Sequence, residues 1–104
     1  MDYIRNDYET ILERKEAQQE GSYTCYLFEK GLDKILKKVG EESTEMVIAA
    51  KKRSKGRNSR RDLRPIYHTL VMMANEGITP DDVDEELRKR AEKAGNLKKI
   101  SRGR

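Results

Sequence analysis

The chain carries one cysteine in 104 residues, Cys25, so no intrachain disulfide can staple it. It also lacks any apolar run near the ~20 residues that cross a bilayer. The first residues lack the apolar core of a secretory signal, and the expectation is a soluble, cytoplasmic protein. No stretch alternates apolar and polar residues as a strand does, and no internal repeat is found. Hydrophobic residues make up 35% of the chain and charged residues 40%. A chain of this length forms one domain with a small core. A small helical domain that buries a further face in a dimer fits that balance.

What is present reads as helix. Residues Tyr3 to Ala17 place Ile4, Tyr8, Ile11 and Leu12 at helical spacing. After a polar break at Gln18 to Gly21, Ser22 suits the N-cap of a short helix through Lys30, and Gly31 suits its end. The next helix carries Leu32, Ile35, Leu36, Val39, Met46, Val47 and Ala50 along one stripe, with Gly40 inside it. A glycine there costs about 1 kcal/mol relative to alanine, so a neighbouring helix or ligand is expected to pass close to it. Ile66 to Ala74 is a further apolar helical run stopped by Gly77. Thr79-Pro80-Asp81-Asp82 then supplies an N-cap, a proline at the first helical position and acids in the first turn. Val83, Leu87 and Ala91 continue that last helix, and Gly95 is read as its end, so 1–95 is the domain and 96–104 a frayed basic tail. The fold class expected is all-α, a bundle of four to five helices completed by dimerisation.

The chemistry concentrates in Lys37-Lys38-Val39-Gly40-Glu41-Glu42-Ser43-Thr44-Glu45. Residues three and four apart share a helix face, which sets Glu45 beside both Glu41 and Glu42. Three carboxylates on one face repel one another unless a cation sits among them. Mg²⁺ takes such hard oxygen ligands, often with phosphate oxygens completing its shell. The lysines just upstream can counter the charge of a phosphorylated substrate. A solvated acidic helix face is the alternative.

The net charge of +4 is local in origin. Lys51 to Arg64 holds eight Lys or Arg against one acid, Asp62. A basic stretch of this kind can be a nucleic-acid patch. It contains no aromatic residue to stack on bases, so nucleic-acid binding is the weaker reading.

The stretch Gly21-Ser22-Tyr23-Thr24, then Leu27-Phe28, then Lys30-Gly31-Leu32-Asp33-Lys34-Ile35-Leu36-Lys37-Lys38-Val39-Gly40-Glu41-Glu42 resembles the phosphoribosyl-ATP pyrophosphohydrolase family. Glu45, Val47 to Lys51, Tyr67-His68 and the opening Ile11-Leu12-Glu13-Arg14-Lys15 extend the resemblance over residues 8–94. It implies an all-α nucleotide pyrophosphohydrolase, usually dimeric and Mg²⁺-dependent. Such an enzyme cleaves phosphoribosyl-ATP to phosphoribosyl-AMP and pyrophosphate, the second step of histidine biosynthesis. It also implies a metal motif in two halves. The first, Glu-Glu-x-x-Glu, falls on Glu41, Glu42 and Glu45, which become the expected metal ligands and catalytic carboxylates. Lys30, Lys34, Lys37 and Lys38 are candidates for holding phosphates. Tyr67 and His68 are candidates for touching substrate, with a helix interface as their alternative. Cys25 reads as a small packed side chain.

The second half-motif, Glu-x-x-Asp, is expected a few residues before Tyr67-His68. Its two positions hold Arg61 and Arg64. Leu63 is the only aliphatic residue from Arg53 to Pro65, and Pro65 is expected to break a helix leading into Ile66. Three explanations stand: an enzyme that has lost activity, a site that recruits another carboxylate such as Asp62, or a local reading-frame shift. The genetic code allows the third in detail. Gly56 to Arg64 can be encoded GGA AGA AAT TCT CGT AGA GAT CTG CGA. Read one base later, with a following C, this gives Glu-Glu-Ile-Leu-Val-Glu-Ile-Cys-Asp, which is amphipathic and restores both acids. The reading favoured is a dimeric Mg²⁺-dependent phosphoribosyl-ATP pyrophosphohydrolase. The runner-up is a catalytically impaired or non-catalytic helical domain of the same fold that binds nucleotide or a protein partner.

Overall fold

The structure, a computed structural model, describes the backbone of residues 2–52 and 63–102 and the side chains of those up to residue 95. Five helices and no strand are found among the described residues: α1 (Tyr3–Glu16), α2 (Tyr23–Lys30), α3 (Leu32–Lys51), α4 (Arg64–Glu76) and α5 (Pro80–Arg102). Arg61, Asp62 and most of the basic stretch lie outside them.

Local chemistry sets most of the boundaries. The Asp2 carboxylate accepts from the Arg5 amide at 3.1 Å and starts α1. The Ser22 hydroxyl accepts from the Cys25 amide at 3.2 Å and starts α2. The α2–α3 junction is a single residue, Gly31, at φ +94°, a conformation in which a Cβ is strained. Gly77, at φ +76°, ends α4, and the Ile78 amide folds back onto the Met73 carbonyl at 2.9 Å. At the head of α5 the Thr79 hydroxyl accepts from the Asp82 amide while the Asp82 carboxylate accepts from the Thr79 amide, at 3.1 and 2.9 Å. That reciprocal box satisfies two otherwise orphaned donors.

The core draws on four helices. Tyr8 and Ile11 from α1, Leu27 from α2, Ile35 from α3, and Leu70, Val71, Met73 and Ala74 from α4 form one buried cluster. The α3–α4 contact is the most extensive pairing, α1 also packs on α4, and α2 packs on α1 and α3. Two long-range bonds fix α1: the Tyr8 hydroxyl donates to the Ile78 carbonyl at 2.6 Å and Lys15 Nζ to the Ala74 carbonyl at 3.1 Å. Arg5 reaches Asp81 at 2.6 Å and also contacts Asp84, joining α1 to α5.

Several expectations change. Gly95 does not end the last helix: its φ is not positive, and the backbone runs on helically to Arg102. The neighbours Ala91, Glu92, Lys93, Ala94 and Leu97 are strong helix formers, which outweigh one interior glycine. Pro65 sits in the first turn of α4, where its missing N–H has no partner to lose; the helix it was expected to break would run through residues 53–62, outside the described residues. Gly40 is not crowded, since a Cβ built there meets nothing within 4 Å. Of the apolar stripe of α3 only Ile35 is buried, while Leu32 and Leu36 already stand exposed ahead of its second half. Val47 and Ile48 are 58% and 49% exposed, as Leu87 on α5 is 57% exposed.

Because Gly40 stands open on an exposed helix face, Gly40→Ala should raise stability by roughly 0.5–1 kcal/mol in urea denaturation. A loss of stability would instead mean that another surface approaches this backbone.

Candidate active site

The middle of α3 presents the acidic residues. Lys34, Lys38 and Glu42 follow one another at single-turn intervals along it, with Glu41 and Glu45 flanking Glu42. Glu42 is turned toward α4, where its carboxylate Oε1 lies 2.5 Å from His68 Nδ1, and both side chains are almost fully buried. The contact lacks the alignment of a regular hydrogen bond, and neither atom has another partner. On the far side of the ring, the Tyr23 hydroxyl lies 2.8 Å from His68 Nε2. A carboxylate facing Nδ1 favours the proton on that nitrogen, which leaves Nε2 to accept from the Tyr23 O–H. Glu42, His68 and Tyr23 therefore form a chain across three helices.

Tyr23 was not singled out as a site residue by the sequence. Its phenol pKa is raised above the ordinary value, first by burial of the hydroxyl and then by the nearby Glu42 carboxylate. Tyr67 and His68, proposed as substrate contacts, are drawn into the helix interface. The Tyr67 hydroxyl hydrogen-bonds Thr24 Oγ1, and its ring meets the His68 ring edge-on at 5.7 Å. Cys25 is buried, its sulfur 3.3 Å from the Gln19 amide and 3.4 Å from the Arg14 carbonyl.

Among the lysines, Lys30 stands with its ammonium 5.7 Å above the centre of the Tyr26 ring. Lys37 is exposed, and Lys34 and Lys38 are half-buried. Glu41 is exposed. Glu45 is engaged: Arg64 Nη2 reaches its Oε2 at 3.1 Å, from the first turn of α4. Position 64 thus lies against the acidic face, as the spacing of the half-motifs implies. A guanidinium stands there in place of an acid.

The fit to a divalent cation can be judged from this arrangement. The donors are hard oxygens of the right type. Glu42, however, faces a histidine and Glu45 a guanidinium. Among the described residues no three His, Cys, Asp or Glu side chains converge as metal ligands. The residues present do not by themselves make up a magnesium centre.

Residues 5–91 match the family model for phosphoribosyl-ATP pyrophosphohydrolase. A phosphoribosyl-ATP pyrophosphatase of Clostridium novyi is 49% identical over 98 residues, covering 94% of this chain and 89% of that protein. One from Streptococcus thermophilus is 50% identical over 90 residues, covering 86% of each. The histidine biosynthesis bifunctional protein HisIE of Oceanobacillus iheyensis is 54% identical over 86 residues, which span 82% of this chain and 40% of that protein. An all-helical fold with an acidic α3 facing α4 agrees with these matches, and the chain belongs to the phosphoribosyl-ATP pyrophosphohydrolase family.

The Tyr23 environment has a readout in alkali. Its folded-state pKa is raised, so its protonated phenol contributes stability that is fully present below the unfolded value of ~10. That contribution is lost as pH rises through the folded value. Tyr23→Phe should flatten the alkaline decline in stability, leaving the share of Tyr8, whose pKa burial also raises. An identical decline in the two proteins would remove Tyr23 from the buried chain.

Proposed function

We propose that this chain is built to hydrolyse phosphoribosyl-ATP to phosphoribosyl-AMP and pyrophosphate, the second step of histidine biosynthesis, in the cytoplasm. The family match across residues 5–91 carries the reading. In it, Glu41, Glu42 and Glu45 are the surviving half of a Mg²⁺ site and serve as its catalytic carboxylates. Lys30, Lys34, Lys37 and Lys38 counter the phosphate charge, while Tyr67 and His68 hold the helices that frame the substrate.

The Arg64–Glu45 contact supports the placement of the second half-motif. An acid at position 64 would add its charge to Glu45, whereas the guanidinium cancels it. At ~4 Å and an effective dielectric near 20, each misplaced unit charge changes the interaction with a cation by roughly 4 kcal/mol. Even a fraction of that lowers metal affinity by orders of magnitude. The chain as written is therefore a poor catalyst. The second reading, an impaired domain of the same fold that binds nucleotide or a protein partner, is favoured by the same ion pair.

A homodimer is part of the reading. Leu36, Val47 and Ile48 lie exposed along α3. Light scattering at micromolar concentration should give twice the chain mass, and a strict monomer would remove the dimer.

Pyrophosphate release from phosphoribosyl-ATP with Mg²⁺ tests the function. Arg61→Glu with Arg64→Asp, or the frame-restored segment, should exceed the chain as written by orders of magnitude. If the chain as written already turns over at ~10 s⁻¹, an ordinary enzymatic rate, the missing acids are not essential. In the restored background, Glu42→Gln with Glu45→Gln should abolish Mg²⁺ binding in calorimetry. Unchanged affinity would reduce the glutamates to a solvated face.

A further inference from the structure

A cavity of about 740 Å³ opens at the α1–α2 turn, lined among others by Gln18, Gln19, Gly21, Tyr23, Tyr26 and Glu29. Cavities of roughly 300–1,000 Å³ are the size that encloses a small-molecule ligand. Its aromatic wall is a pair one helical turn apart: the Tyr23 and Tyr26 rings lie 6.2 Å between centres and 26° from parallel. Both are substantially exposed, at 46% and 40%. Tyr23 is anchored from behind by its hydroxyl on His68 Nε2, so its ring is fixed before any ligand arrives. Flat, half-exposed, preorganised aromatic rings are what heteroaromatic bases stack upon.

The surroundings are polar in a way that suits a base rather than an apolar chain. Gln18 and Gln19 bring amide groups that donate and accept, and Glu29 brings an acceptor for an exocyclic amine. Lys30, outside the cavity lining, holds its ammonium over one face of the Tyr26 ring and adds one positive charge beside the wall. That arrangement places a phosphate counter-charge next to a stacking surface. Tyr23 also links the cavity through His68 to Glu42 on the acidic helix.

We propose that this cavity is the subsite for the purine base of the nucleotide substrate, stacked on Tyr26 beside Tyr23, with Lys30 on the adjoining phosphate. The ligand class rests on the functional reading above, and the subsite is a place that reading leaves unassigned. Stacking of this kind holds the base without calling on the acidic residues. Binding of a simple nucleotide is then independent of position 64.

The test is calorimetric titration of the full chain with AMP and, separately, with ribose 5-phosphate, which lacks the base. AMP should bind more tightly than ribose 5-phosphate. Tyr26→Ala should weaken AMP on the order of tenfold and leave ribose 5-phosphate unchanged. Tyr26→Phe, which keeps the flat face, should retain AMP affinity. Lys30→Ala should weaken both ligands. Circular dichroism of each variant reports retained helicity. AMP binding that is absent, no tighter than ribose 5-phosphate, or insensitive to Tyr26→Ala overturns the subsite. Pyrophosphate release is read apart from this, in the Arg61→Glu, Arg64→Asp background. Tyr26-dependent AMP binding without turnover removes the functional reading and upholds the subsite. Turnover with a KM unmoved by Tyr26→Ala removes the subsite alone.

Discussion

Four side chains from four helices, Ile11, Leu27, Ile35 and Val71, are almost wholly withdrawn from solvent. Their mutual burial is the contact on which the other features depend. Each stabilises the fold by about 1.5–3 kcal/mol as an upper estimate, and no other part of the described chain buries as much. This contact holds α3 and α1 against α4, and α2 against α1 and α3. Once Ile35 is seated, Glu42, two turns further along α3, is committed to the α4 side. Once Val71 is seated, His68, almost one turn earlier, is committed to meet it. The polar chain through Tyr23 is thus positioned by the hydrocarbon beneath it, and its burial follows from the same packing.

The sites of greatest chemical interest are also the least settled electrostatically. The Glu42–His68 contact is buried without regular hydrogen-bond alignment, and buried polar atoms left short of a partner are costly. One turn along the helix, Glu45 is matched by Arg64 in a solvent-exposed pair. Exposed pairs of this type contribute little to folding, about 0–1 kcal/mol. Their importance here is local: the guanidinium offsets the charge of Glu45 on the acidic face. Stability and chemistry are therefore separable at position 64.

Features governed by short-range chemistry were legible in the sequence. The Ser22 cap, the glycine breaks at Gly31 and Gly77 and the Thr79–Asp82 box each depend on atoms within a few residues. The helical class followed from the apolar spacing for the same reason. Gly95 misled because glycine ends a helix only when its backbone turns to positive φ, and its neighbours hold it helical. Val47 and Leu87 carried a true apolar period, but each stays more than half exposed. Periodicity states which face is apolar and not what meets it. Tyr23 escaped notice as a site residue because its partner His68 is 45 residues away. The family pattern set position 64 opposite the acidic helix face, and Arg64 does meet Glu45.

The last helix is joined to the body differently from the others. Arg5 grips Asp81 and Asp84 at its first turns, and these groups are well exposed. Val83 and Leu87 line a cavity of about 220 Å³ together with Ile4, Leu70 and Met73. Helices α1 to α4 are locked by buried hydrocarbon, which dissolved ions do not screen, whereas exposed ion pairs weaken as the screening length falls from about 10 Å at 0.1 M salt to about 3 Å at 1 M. Ionic strength is therefore a dial that acts on one end of the molecule and spares the other. Brine loosens the grip on α5, a lever whose helical backbone runs from Pro80 to Arg102, while the four-helix body beneath it keeps its shape.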